Sequence, residues 1–158
     1  MSCGWRSAAA LAALGGLVAA LADPPAAAAQ QVRELGVQAL VTAGDPTLAT
    51  AGLYAALRTS SRTRFAVTAS AGSLGGRAAI RGELLGHFLL APTLTRGTGL
   101  YVGGGLAAVA GPLTRGYAVL LLGAEGRPGG SNGWSAEVGI GGGVRVTAGW
   151  RWRRHGRR

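Results

Sequence analysis

The most constraining feature of this sequence is a period-two alternation of apolar and polar residues, which recurs in eight segments after residue 31. Such alternation indicates β-strands, and the Gly, Pro, Ser and Asp clusters between the segments indicate turns. No segment in this part of the chain shows a convincing helical repeat. The predicted strands are Val32 to Val41, Thr50 to Arg58, Arg64 to Gly72, Arg77 to Leu90, Leu100 to Val109, Tyr117 to Glu125, Trp134 to Ile140 and Val144 to Trp152.

The two faces of these strands differ in chemistry. One face is nearly continuous Leu, Val, Ile, Ala and aromatic, whereas the other carries one or two charges per strand among Gly, Ala, Thr, Ser and Tyr. A solvated surface needs denser charge than this, but eight strands enclose an interior just wide enough for side chains to fill. We therefore predict an all-β fold, an eight-stranded antiparallel up-and-down transmembrane β-barrel over residues 30–152 with its apolar face toward lipid.

The predicted lumen contains four glutamates and five arginines, a nearly balanced set. An unpaired buried charge costs several kcal/mol, so we expect a network of ion pairs. Eight strands leave little room for a pore, so we expect this network to act as a plug. Its predicted members are Glu34, Arg58, Arg64, Arg81, Glu83, Glu125, Glu137, Arg145 and Arg151.

Large aromatic residues of the apolar face cluster at one rim of the predicted barrel. If the N-terminus starts on the periplasmic side, all of them fall at the periplasmic ends of their strands, and the outer rim has no matching girdle. Amphipathic rings anchor a barrel at the membrane interface. The predicted girdle consists of Phe65, Phe88, Trp134, Trp150 and Trp152.

The N-terminus is typical of a cleavable, helical signal peptide over residues 1–29. A head with one arginine precedes an apolar run from Ala8 to Leu21, and Ala27-Ala28-Ala29 before Gln30 offers a cleavage site. The run is shorter than the roughly 20 apolar residues of a spanning helix. Cleavage would remove Cys3, the single cysteine, and leave 15 Arg against 5 acids because Arg6 and Asp23 are also lost. The expected location is the outer membrane of a Gram-negative envelope.

The pattern from Val32 to Trp152 resembles the small eight-stranded outer-membrane barrels, the class that includes OmpX-like and OmpA-transmembrane-like proteins. In that class the last strand usually carries a polar residue, a glycine two positions later and two aromatics spaced by one residue. Arg145, Trp150 and Trp152 match these places, whereas Thr147 stands where glycine is usual. The resemblance implies a monomer surrounded by outer-membrane lipid, with the barrel-assembly machinery as its partner during biogenesis.

Residues 153–158 are predicted to form a basic C-terminal tail with four arginines. Arginine-rich tails bind phosphates, and neighbouring aromatics can stack on nucleic acid bases. An exported chain meets no cytosolic nucleic acid, so we expect no nucleic-acid partner. A solvated end without a partner and electrostatic contact with anionic lipid or periplasmic polymers both remain open.

The sequence offers few groups for catalysis or ligation. His87 is the one histidine within a predicted strand, and the inward-facing Glu83, Ser135 and Glu137 are the other groups from which a Ser-His-acid site could be built. Two glycine triplets are interpreted as strand packing, residues 103–105, and as a tight hairpin, residues 141–143, because neither leads into a helix.

We accordingly expect no enzyme activity, no cofactor and no metal, and a structural or surface-interaction role. The alternative is a soluble, exported, lipocalin-like barrel that binds a small apolar ligand. That alternative requires the Leu/Val face to turn inward, so that the aromatic residues line a cavity.

Overall fold

A closed β-barrel accounts for all the secondary structure in the computed structural model, which describes residues 32–155. Eight antiparallel strands follow one another around the barrel in chain order, and the last pairs with the first. The predicted fold is thus confirmed, while the predicted signal peptide, residues 1–29, lies outside the described residues. The strands are β1 (Val32–Ala43), β2 (Leu48–Arg58), β3 (Thr63–Leu74), β4 (Arg77–Leu89), β5 (Thr98–Ala110), β6 (Arg115–Gly126), β7 (Asn132–Ile140) and β8 (Val144–His155).

Closure of the barrel uses the full length of β1 and β8, from the pair Val32 and His155 to the pair Ala43 and Val144. Because the sheet is closed, no strand presents an unpaired edge. Side chains alternate between the interior and the outer wall along the strands, as the period-two pattern predicts, although on β3 the outward-facing Val67 is also buried. Among the described residues no helix is both long and apolar enough to cross a membrane.

The connections divide the barrel into two ends. At the terminal end lie both ends of the described chain and the connections 59–62, 90–97 and 127–131. At the opposite end lie the connections 44–47, 75–76, 111–114 and 141–143. The longest connection, 90–97, is therefore at the terminal end, and every connection at the opposite end is short.

The two glycine triplets occupy the places predicted for them. Residues 141–143 form the β7–β8 hairpin, where Gly142 has a φ of 80°, a conformation that glycine adopts without steric cost. Residues 103–105 lie within β5, and a Cβ on Gly105 would collide with the backbone carbonyl of Leu84 on β4. Both triplets are structural.

Side chains fill most of the interior, and a small cavity of about 40 Å³ remains at the opposite end. Near the opposite end, Leu40, Leu48, Ala79 and Val109 form a buried cluster, and Leu74 and Tyr117 pack against it. A second buried apolar cluster comprises Tyr54, Ala56, Ala66, Leu85, Leu89, Tyr101, Ala107, Val119 and Leu121. The rest of the interior is polar and largely charged.

The strands differ from their predicted bounds by one to three residues, and the predicted boundary between the barrel and its tail is wrong. Strand β8 continues past Trp152 to His155, so the basic tail predicted to begin at Arg153 starts inside a strand. Arg153 pairs with Glu34 of β1 and has its side chain in the lumen, where it is 3% exposed. The physical reason is that β1 begins at Val32 and offers β8 a pairing partner up to that level. Residues 156–158 lie outside the described part of the chain.

Candidate functional site

All nine predicted lumen charges lie inside the barrel, and a tenth, Arg153, joins them. The six arginines and four glutamates are each at most 7% exposed. Each strand supplies at least one inward charge except β5. Their ion pairs connect all ten residues into one network, which we call the lumen network: Glu34, Arg58, Arg64, Arg81, Glu83, Glu125, Glu137, Arg145, Arg151 and Arg153.

Glu125 on β6 is the most heavily paired carboxylate of the network. Its Oε2 atom lies 2.7 Å from Arg64 Nη1, 3.0 Å from Arg153 Nη2 and 3.3 Å from Arg151 Nη1. Its Oε1 atom lies 3.5 Å from Arg58 Nη2. Four guanidinium groups from three strands thus converge on one side chain that is 1% exposed.

Glu34 on β1 shares three of these arginines. Arg58 Nε donates to its Oε1 atom at 2.7 Å, and Arg64 Nη1 lies 3.4 Å from Oε2. Arg153 Nε completes the group at 3.5 Å from Oε1. Two carboxylates therefore serve four arginines in the part of the lumen nearest the terminal end, which leaves this part with an excess of positive charge.

The remainder of the network is balanced. Glu137 pairs with Arg151 at 3.0 Å and with Arg145 at 3.3 Å, so it links the two parts of the lumen. Arg145 also lies 3.1 Å from Glu83 Oε1, on which Arg81 Nε converges at 2.8 Å. Arg145 is at 0% exposure, so these pairs act in a medium that screens charge weakly.

Aromatic rings and His87 support the arginines. The guanidinium of Arg151 stacks 4.2 Å from the Tyr54 ring centroid, and that of Arg64 lies 4.7 Å from the Tyr101 ring centroid, distances at which a cation is attracted to a ring face. The Tyr101 hydroxyl donates to Glu137 at 2.8 Å. His87 Nδ1 accepts a hydrogen bond from Arg64 Nε at 3.2 Å, so this histidine contacts the lumen network directly.

Arginines of the network also hold connections over the terminal end. Arg58 donates to the carbonyl oxygens of Pro92 at 3.3 Å and Pro128 at 2.9 Å. Arg153 donates to the carbonyl oxygen of Arg127 at 3.1 Å. The connections 90–97 and 127–131 are thereby tied to the charged interior. Sequence reasoning missed this closure, since no local pattern shows which carbonyl oxygens will meet an arginine from another strand.

The five predicted girdle residues lie on the outer wall, and each is 40–51% exposed. Each stands in the half of its strand nearest the terminal end. Trp134 faces Trp150 across the β7–β8 pair, and Trp152 faces Leu35 across the β8–β1 pair. We call Phe65, Phe88, Trp134, Trp150 and Trp152 the aromatic rim.

The outer wall is otherwise apolar around the barrel, with Leu53 67% exposed and Leu120 62% exposed. A shallow groove of about 740 Å³ lies on this wall, where Gly86 and Gly104 lack side chains. The alternative of a ligand-binding soluble barrel required the Leu/Val face and the aromatics to line a cavity. The structure places both outside, so that requirement is not met. Residues 32–155 contain no group of three or more His, Cys, Asp or Glu side chains able to hold a metal ion.

Comparison with known proteins gives a fold and no closer relationship. No family model and no curated protein matches the chain. Among solved structures, the chain is similar to the N-terminal β-barrel domain of Pseudomonas aeruginosa OprF, with a TM-score of 0.62 and 12% identity over 77% of this chain and 97% of that one. It is also similar to Neisserial surface protein A (NspA), with a TM-score of 0.58 and 12% identity over 80% of this chain and 99% of that one. Both are small eight-stranded outer-membrane barrels, so the resemblance inferred from the strand pattern is confirmed at the level of the fold.

Proposed function

We propose that the chain is a monomeric, non-enzymatic outer-membrane protein whose barrel crosses the bilayer and performs a structural or surface-interaction role. The observation that carries this proposal is the polarity of the barrel, with ten charges inside and Leu, Val, Ile and aromatic side chains outside. A soluble protein rarely exposes an apolar patch larger than about 600 Å². Here the apolar wall continues around the barrel, which hydrocarbon can solvate and water cannot.

Backbone pairing supports the same proposal. A bilayer offers no hydrogen bonds to the backbone, so only helices and closed barrels cross it. The chain of pairings from β1 around to β8 closes on itself. The fold shared with the OprF domain and NspA is consistent with this environment.

The predicted signal peptide and the aromatic rim together indicate how the barrel is oriented in the outer membrane. We infer that the terminal end faces the periplasm, because an exported chain with residues 1–29 as a signal peptide delivers its N-terminus there. The rim then lies at the periplasmic interface, where Trp and Phe rings anchor barrels. Trp150 and Trp152 stand on the last strand, where the assembly machinery of this class of barrels would recognise them.

We further propose that the lumen is a plug. The lumen network spans the interior from the terminal end to Arg81, and the cluster around Leu40 and Val109 narrows the interior beyond it to a cavity of about 40 Å³. An ion crossing the barrel would have to separate buried pairs such as Arg145 with Glu137, at a cost of several kcal/mol for each uncompensated charge. The same pairing argues against catalysis, because a general base must be free to reach its substrate.

Fractionation followed by bilayer recording tests the proposal. The protein should sediment with outer-membrane vesicles, require detergent for extraction and migrate faster on a gel before boiling than after. Reconstituted in planar bilayers, it should show no steady conductance. Recovery in the soluble periplasmic fraction would refute membrane residence, and stable open channels would refute the plug alone.

A further inference from the structure

Five exposed arginines are distributed around the terminal end of the barrel. These arginines come from β1, from each of the three terminal-end connections and from β8, and all are exposed. We call them the arginine collar: Arg33, Arg62, Arg96, Arg127 and Arg154. The sequence analysis assigned none of them to the lumen network and placed Arg154 in the basic tail.

The exposed charges at the terminal end of the barrel are all positive among residues 32–154. Of the five acidic residues between 32 and 155, the four glutamates are buried in the lumen, and Asp45 is exposed at the opposite end. That opposite end carries two exposed arginines, Arg77 and Arg115, beside this one aspartate. Exposed positive charge is therefore concentrated at the terminal end, where a negatively charged partner would be attracted.

Strand geometry places two of the collar residues, Arg33 and Arg154, at a defined depth on the wall. Trp150, Trp152 and Arg154 occupy successive outward positions of β8, so Arg154 lies about 7 Å beyond Trp152 along the strand. Arg33 of β1 faces Arg154 directly across the β1–β8 pair. Both side chains are exposed on the outer wall, and a phosphate can accept hydrogen bonds from two guanidinium groups at once.

We propose that the arginine collar binds the phosphate groups of anionic phospholipids in the leaflet at the terminal end. This inference rests on the proposed membrane residence. Aliphatic, aromatic and guanidinium groups follow one another toward this end, in the order of hydrocarbon, interface and headgroup across half a bilayer. A soluble polyanion would meet the end face of the barrel instead, whereas Arg33 and Arg154 stand on the wall.

Tryptophan quenching by brominated lipids tests the collar. The protein extracted from membranes is reconstituted in vesicles of phosphatidylcholine and phosphatidylglycerol, with one lipid or the other brominated. The brominated lipid quenches tryptophans that it contacts, so the fluorescence of the rim tryptophans reports which lipid surrounds the rim. At low salt we expect phosphatidylglycerol to associate about five-fold more strongly for each arginine that contacts a headgroup. The double variant Arg33→Gln/Arg154→Gln should lose most of this preference, and so should the unaltered protein at high salt.

The matched control is Arg77→Gln/Arg115→Gln, which removes two exposed arginines at the opposite end and should retain the preference. Equal quenching by both lipids in the unaltered protein, or an equal loss in the control variant, would overturn the inference while leaving membrane residence intact. Absence of quenching by either lipid would instead refute membrane residence, and the collar with it.

Discussion

Glu125 provides the sharpest test of the lumen network, because four arginines lie within 3.5 Å of its two carboxylate oxygens. Glu125→Gln keeps the size of the side chain and removes one negative charge. The lumen then holds six arginines against three glutamates: Glu34 alone pairs with Arg58, Arg64 and Arg153, and Arg151 keeps only its pair with Glu137. Removing one partner of a buried ion pair costs about 3–5 kcal/mol, and we expect a loss of unfolding free energy in this range.

The assay is urea unfolding of the reconstituted protein. The folded fraction is measured from the difference in gel mobility between the folded and unfolded forms. Asp45→Asn is the control, since Asp45 is exposed in a turn and should change the unfolding free energy by less than about 0.5 kcal/mol. Glu83→Gln should fall between the two, because two arginines contact Glu83. A loss in Glu125→Gln no larger than that in Asp45→Asn would refute the network as a stabilising element.

A double-mutant cycle tests the pairing where Glu125→Gln folds with reduced stability, and where it does not fold alone, recovery of folding in the double variant tests the same pairing. Arg153→Gln alone removes one of the excess arginines that Glu125 neutralises at 3.0 Å. Combined with Glu125→Gln, it should recover part of the lost stability, because residues in one ionic network show coupling energies of about 0.5–3 kcal/mol. Additive effects of the two substitutions would show that the pair does not interact.

Three further predictions concern assembly and insertion, each read from heat-modifiability gels of membrane fractions. Replacing Trp150 and Trp152 with Ala should leave more unassembled, protease-sensitive protein, because these rings anchor the last strand at the interface; normal assembly would contradict their proposed role. Deleting residues 156–158 should have little effect, whereas deleting 153–158 should impair folding because it removes buried Arg153. Equal effects of the two deletions would show that Arg153 does not contribute to the folded barrel. Leu122→Arg, on the outer wall, should cost about 2–4 kcal/mol if it lies near the bilayer midplane, and unimpaired insertion would argue against a lipid-facing wall.

The strand pattern and the two faces could be predicted from sequence because both are local properties. Side chains of a strand point alternately to its two faces. Because Ile80 and Leu84 point to the outer wall, Glu83 points into the lumen. One face of the strands carries a few charges and the other carries none. This contrast assigns the first face to the lumen and the second to the outer wall. The positions of the aromatic rim follow from counting strands from the N-terminus, which requires no tertiary contact.

The boundary at Arg153 shows where local reasoning stops. After Trp152 the sequence is rich in arginine and no longer alternates between apolar and polar residues. The strand continues because β1 offers backbone partners up to Val32. Arg154 and Arg153 are chemically identical, but alternation places one on the arginine collar and the other beside Glu125.

The sequence alone therefore determined an eight-stranded barrel, the direction of its side chains and a charged interior. Only the tertiary structure decided which arginine meets which glutamate, that Glu125 gathers four of them, and that Arg58 ties Pro92 and Pro128 over the terminal end. The physical reason is distance along the chain: Arg64 and Glu125 are separated by 61 residues. Their contact depends on closure of the barrel and on the register of every strand pair between them, which no local periodicity encodes.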